Sequence, residues 1–172
     1  LCYQSDVTAR LIDAAPSLSL IQKHGLNCRN IDMAAAARKK ITVATMPLMR
    51  NVTVAEHALA LILACARKIS PGHQAVVTAA YQAMGLQPTA TSQGNYRSNW
   101  AGIQGISELY NAAVGIVGMG DIGIEIARRC RAFGMNIHYH QRTRVAASIE
   151  NELGLHYALL DDLLQVSDYV VL

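Results

Sequence analysis

Gly118-Met119-Gly120-Asp121-Ile122-Gly123, set between the apolar run Ala112–Val117 and a helical pattern over residues 121–133, constrains this chain more than anything else in it. A GxGxxG pattern alone is weak. Placed directly after a strand and opening a helix, it has a physical reason at each glycine. Gly118 permits the tight turn, Gly120 lets backbone approach a pyrophosphate, and Gly123 lets helix and strand pack closely. The helix N-terminus adds free N–H groups and a partial positive charge, which suit phosphate. Ile122, Ile126, Cys130 and Phe133 are expected on one helix face, and Gly134 is the expected stop.

Composition supports the same class. The chain is 52% hydrophobic but only 5% aromatic, which favours buried parallel strands over a β-sandwich. The expected fold is α/β, with doubly wound parallel sheets: a partial substrate domain over residues 1–71 and a linker plus partial Rossmann cofactor domain over residues 72–172. In the first part, a helical pattern around residues 8–14 precedes a short apolar run at 17–21. A loop, a helix over 32–40 and the strand "ITVAT" closed by Pro47 follow. Residues 53–68 read as one helix, with Thr53 and Glu56 at capping-box spacing and Pro71-Gly72 as the terminator. A second helical stretch covers 72–84, and the polar segment from Gly85 to Gly105 is the candidate linker. In the last part "NIHYH" and "LHY" read as strands, "LLDDLLQV" as a helix and "DYVVL" as the final strand. A parallel strand with nothing after it suggests an internal piece of a longer protein.

Several function classes have little support. A net charge of +3, with Arg128, Arg129 and Arg131 on one helix and no interleaved aromatics, argues against a nucleic-acid partner. The most apolar run, Val54–Ala66, carries Glu56 and His57 and is too short to span a bilayer, so no membrane partner is expected. Cys2, Cys28, Cys65 and Cys130 form no CxxC pair and read as reduced thiols of a cytoplasmic protein. His138 and His140 share a strand face but have no third ligand at metal spacing, so no metal site is expected. Trp100 reads as a packing anchor, and Asp161 and Asp162 as favourable charges at a helix start.

The strand "NIHYH" runs into Gln141-Arg142-Thr143-Arg144. Gln141 stands about where NAD-binding proteins carry an acidic residue for the ribose 2′-hydroxyl. An amide there removes repulsion against a 2′-phosphate, and Arg142 and Arg144 with Thr143 can bind one directly. NADP(H) is therefore favoured as cofactor, with NAD(H) possible.

Three segments resemble the D-isomer-specific 2-hydroxyacid dehydrogenases. "IQKHGLNCRNID" is similar to the family's substrate loop, and "TVAEHALALILACAR" to its (S/T)VAEH helix. "VGIVGMGDIGIEIARRCRAFG" with "LDDLLQVSDYVVL" resembles its cofactor domain. The resemblance implies hydride transfer between NAD(P)H and a small 2-oxo or 2-hydroxy acid bound between two domains, in a homodimer. It implies that the backbone N–H groups of Leu26 and Asn27 hold the substrate carboxylate and that Val54 lies against the nicotinamide. It also implies that Asp121 and Ile122 touch the pyrophosphate. The family's catalytic Arg, Glu and His are expected beyond residue 172, so no catalytic residue is assigned within the chain. Two positions depart from the pattern: Asn27 stands at the second loop glycine, where a left-handed conformation is expected, and Arg29 replaces the usual Asp. A dinucleotide-sensing binding protein akin to the family's transcriptional corepressors is the alternative on the same fold.

Overall fold

The computed structural model describes residues 5–95 and 98–172. Its contacts divide the chain into two compact units, Leu1–Thr53 and Val54–Leu172. The division falls earlier than the expected boundary at residue 71.

In the first unit, α1 (Ala9–Asp13) leads to β1 (Leu20–His24), and α2 (Met33–Arg38) crosses over to β2 (Thr42–Met46). The two strands pair in parallel from Leu20↔Thr42 to His24↔Met46. β1 starts later than the apolar run at 17–21. Asp32 caps α2, its Oδ1 accepting from Ala35 N–H at 2.8 Å. Ile12, Ile21, Ile31, Ala35, Ala36 and Ile41 form the unit's core.

α3 (Met49–Ala66) carries the chain into the second unit. It starts one turn before the expected cap, so Thr53 lies inside the helix and the Thr53–Glu56 capping box does not form. Its 18 residues make it long and apolar enough to cross a membrane by length and composition. One side of it packs: Ala55, Ile62 and Ala66 are buried, and Glu56 pairs with Arg129 at 3.7 Å, while Met49, Val54 and Leu61 are exposed. Pro71-Gly72 does not terminate it. Pro71 is the third residue of α4 (Ile69–Val77), where a missing N–H costs nothing because the first donors of a helix have no helical partner, and Gly72 N–H makes the next bond, to the Lys68 carbonyl at 2.8 Å. A 3-10 turn over Ala80–Met84 follows, and Trp100 packs edge-on against Tyr81 with ring centroids 5.1 Å apart. Of the candidate linker, Tyr96 and Arg97 lie outside the described residues, as does Cys2.

The rest of the second unit alternates strand and helix: β3 (Ala113–Val117), α5 (Asp121–Ala132), β4 (Asn136–His140), α6 (Ala147–Leu153), β5 (Leu155–Tyr157), α7 (Leu160–Val166) and β6 (Tyr169–Val171). The four strands are parallel in the order β5-β4-β3-β6. After β3 the chain builds outward through β4 and β5, then crosses back to place β6 on the other side. The C-terminal ends of β3 and β6 thus flank a topological switch point, where doubly wound folds bind ligands. Gly115 allows α7 to lie directly on β3, since a Cβ there would run into Leu163 and Ser167. The core includes Val114, Ile116, Ile126, Ala127, Cys130, Ile137 and Tyr139.

Candidate functional site

The glycine turn after β3 is built as its sequence requires. Gly118 has φ +102°, a conformation L side chains rarely adopt. A Cβ on Gly123 would collide with the Gly118 carbonyl oxygen, so α5 can begin this close to the strand end only with glycine there. Gly120 differs. Its φ is −84°, and a Cβ would meet no protein atom within 4 Å. Neither backbone strain nor internal packing calls for glycine at 120, and the open space in front of it is what an approaching pyrophosphate needs. No side chain caps α5, which leaves its first-turn N–H groups, at Asp121 and Ile122, to serve an anion. These residues fit a nicotinamide dinucleotide.

α5 is turned relative to the expected face. Gly123, Ile126, Ala127 and Cys130 are buried, whereas Ile122 and Phe133 are 38% and 41% exposed. The close approach at Gly123 rolls that side onto the sheet and leaves Ile122 at the ligand end. Burial also pushes the Cys130 thiol up to about 11.

The turn after β4 meets the glycine turn. Gly118 N–H donates to the His140 carbonyl at 2.8 Å. Gln141 accepts from Met119 N–H at 3.1 Å through Oε1 and donates from Nε2 to the Thr143 carbonyl at 2.6 Å. Gly118–Gly123 and Gln141–Thr143 are therefore brought together, as the motif spacing implies. Arg142 and Thr143 are exposed at the turn.

Arg144 is placed otherwise than expected. Its guanidinium forks onto Glu150, with Nε–Oε1 at 3.1 Å and Nη2–Oε2 at 2.9 Å, and lies 5.1 Å from the centroid of the Tyr157 ring. That pairing holds the Glu150 carboxyl below the usual carboxylate range. The pairing engages Nε and Nη2 of Arg144, whereas the Arg142 side chain has no ion-pair partner among the described residues.

The groups supporting this turn are not legible in the sequence. Tyr139 is fully buried; its hydroxyl donates to Glu150 Oε1 at 2.5 Å and accepts from Val145 N–H at 3.2 Å. Glu150 belongs to α6. The only available signal was the alternation that turns Ile137 and Tyr139 inward along β4.

In the first unit, Gly25 takes the positive φ, at +108°, and Asn27 is not among the residues that do. The Asn27 side chain instead closes a local turn, Oδ1 accepting from Arg29 N–H at 3.0 Å. Leu26 and Asn27 are exposed, and their backbone N–H groups have no partner among the described residues. Val54 lines an apolar groove of about 690 Å³ with His57, Leu61 and Cys65 of α3 and the chain from Asp168 to Leu172. His138 stacks beside His156 at 5.5 Å, and desolvation, then the neighbouring imidazole, lowers its pKa. No group of three or more His, Cys, Asp or Glu side chains suited to a metal ion occurs among the described residues.

Residues 59–172 match the family model for the NAD binding domain of D-isomer specific 2-hydroxyacid dehydrogenases. The chain belongs to that family. A glyoxylate reductase of Pyrococcus furiosus is 34% identical over 166 residues, covering 96% of this chain and 46% of the relative. A D-3-phosphoglycerate dehydrogenase of Archaeoglobus fulgidus is 32% identical, covering 97% and 28%. Among solved structures, a glyoxylate reductase from Paecilomyes thermophila superposes with a TM-score of 0.54 at 29% identity, covering 97% of this chain and 46% of that one. The chain thus spans less than half the length of the curated relatives it matches here. The resemblance carried by three sequence segments is borne out at the level of family and fold.

Proposed function

We propose that this chain is the dinucleotide-binding part of an oxidoreductase that moves a hydride between NADP(H) and a small 2-oxo or 2-hydroxy acid. The observation that carries the reading is the joined pair of turns. An open glycine loop at an uncapped helix N-terminus meets Gln141, a neutral residue in the acid's place, and Arg142 stands beside it. The bound nicotinamide supplies or accepts the hydride. Every other contribution assigned here is one of binding and orientation. Asp121 and Ile122 N–H groups hold pyrophosphate, and Arg142 and Thr143 hold the 2′-phosphate. Leu26 and Asn27 N–H groups take the substrate carboxylate, and Val54 bounds the nicotinamide. None of these residues is assigned a proton. Relatives named glyoxylate reductase make glyoxylate the first substrate to try.

The test uses the full chain of the natural protein with NADPH or NADH and a panel of 2-oxo acids, followed by nicotinamide absorbance. Turnover with NADPH above blank is expected. Arg142→Ala should weaken NADPH binding about tenfold or more while leaving NADH within about twofold, the size of one charge-assisted phosphate contact. Equal affinity for both dinucleotides in the unaltered protein removes the 2′-phosphate reading. Absence of turnover with every acid removes the oxidoreductase reading.

A further inference from the structure

We propose that Tyr139 is a specificity-determining positioning residue: buried in β4, it holds the Gln141–Val145 turn in the shape that presents Arg142 and Thr143 to a 2′-phosphate. This rests on the NADP(H) reading above.

The turn is fastened at both ends. At the near end, the Gln141 side chain bridges Met119 N–H and the Thr143 carbonyl, and the Tyr157 hydroxyl donates to the Gln141 carbonyl at 3.5 Å. At the far end the Tyr139 hydroxyl accepts from Val145 N–H and donates to Glu150, which grips Arg144. One oxygen atom therefore joins the turn's backbone to the carboxylate that fixes its last arginine. Arg142 and Thr143 side chains lie between these fastenings and have no hydrogen-bond or ion-pair partner among the described residues. A cation held on a fixed backbone loses less freedom on meeting its anion than one on a loose turn, so the fastening adds affinity for a 2′-phosphate. A nucleotide lacking that phosphate does not reach Arg142 and gains little from it.

Tyr139 is 0% exposed, so it touches no ligand and acts only through the turn. Tyr139→Phe keeps the ring and the charge of the site and removes both hydroxyl bonds. Expected for the full chain is a fall in NADPH affinity of about five- to tenfold, with NADH within about twofold. Because Tyr139 acts through Arg142, the loss should vanish in the Arg142→Ala background, where independent effects would add. Glu150→Gln provides a second variant that keeps the tyrosine in place. It should also lower NADPH affinity, about threefold, although it makes the site more positive; long-range electrostatics predicts the opposite sign.

A preference for NADPH in the unaltered protein that persists undiminished in both variants overturns the proposal and leaves the 2′-phosphate reading standing. Equal losses for NADPH and NADH, or additive losses with Arg142→Ala, show a general packing role and also overturn it. Equal binding of the two dinucleotides by the unaltered protein overturns the 2′-phosphate reading and this proposal together.

Discussion

Gly120 and Gly123 belong to one motif, and the structure separates what each is for. Replacing Gly123 by Ala puts a methyl into the Gly118 carbonyl oxygen, a backbone atom that cannot swing aside. Overpacking of this kind costs about 1–3 kcal/mol. Because the blocked atom is backbone, the cost lies in the upper part of that range, about 2–3 kcal/mol; alanine in place of glycine within a helix returns about 1 kcal/mol, so the net loss is about 1–2 kcal/mol. For a chain of this size that lowers Tm by about 2–8 °C. Gly120→Ala meets no protein atom at a permitted φ. It should leave Tm within about 2 °C, or raise it slightly by restricting the unfolded chain. Its methyl enters the space a pyrophosphate would occupy, and dinucleotide affinity should fall about tenfold or more. The assay is a paired one: thermal melts of the unliganded full chain, then titration with NADPH and NADH. A Gly120→Ala protein that melts much lower, or binds dinucleotide as before, refutes this division of labour. So does a Gly123→Ala protein as stable as the parent.

Cys130 is buried and its thiol is raised to about 11, so at neutral pH it should resist maleimide in the folded protein and label only on unfolding. Among the described cysteines, exposed Cys65 should label before Cys28 and Cys130, as mass spectrometry of the modified peptides will show. Desolvation and the nearby His156 lower the His138 pKa from 6.5. The fold therefore favours its neutral form, and that contribution is present above the unfolded value and lost as pH falls through the folded one. Urea midpoints at about pH 7.5 and about pH 5.5 should differ less in His138→Gln than in the parent; an unchanged difference removes His138 from the acid response.

Strand–turn–helix order around the glycine motif was legible because each step is local: an apolar run, the glycines, then a helical period ended by Gly134. The parallel pairing of β1 with β2 was likewise implied by the helix between them. Misreadings arose where a distant contact decides the outcome. Helix α3 starts before Thr53 although the capping spacing is present, because a local cap signal does not fix where a packed helix begins. Pro71 reads as a stop, yet at the first turn of a new helix it is harmless. The burial face of α5 depends on how closely Gly123 meets the turn, which periodicity does not encode. Arg144 looks identical to Arg142 in the sequence. Only α6, a helix not expected from the sequence, brings Glu150 to one arginine and leaves the other to solvent.

At the opposite end of β3 from the glycine turn, Asp168 N–H donates to the Ala113 carbonyl at 2.9 Å, and the Asp168 carboxylate accepts from Ala113 N–H at 2.8 Å. The two residues are 55 apart in sequence, whereas β3 and β4 pair across a much shorter interval. Closing the longer loop costs more chain entropy, and β6, with three residues, has little burial of its own to set its register. Asp168 supplies that register chemically. A slip of one residue would strand its carboxylate and turn the strand's side chains to the wrong face. The clasp thus bears on assembly: loop closure makes β6 the costlier strand to seat, and Asp168→Ala should show itself less in the finished fold than in how often β6 seats out of register on the way there.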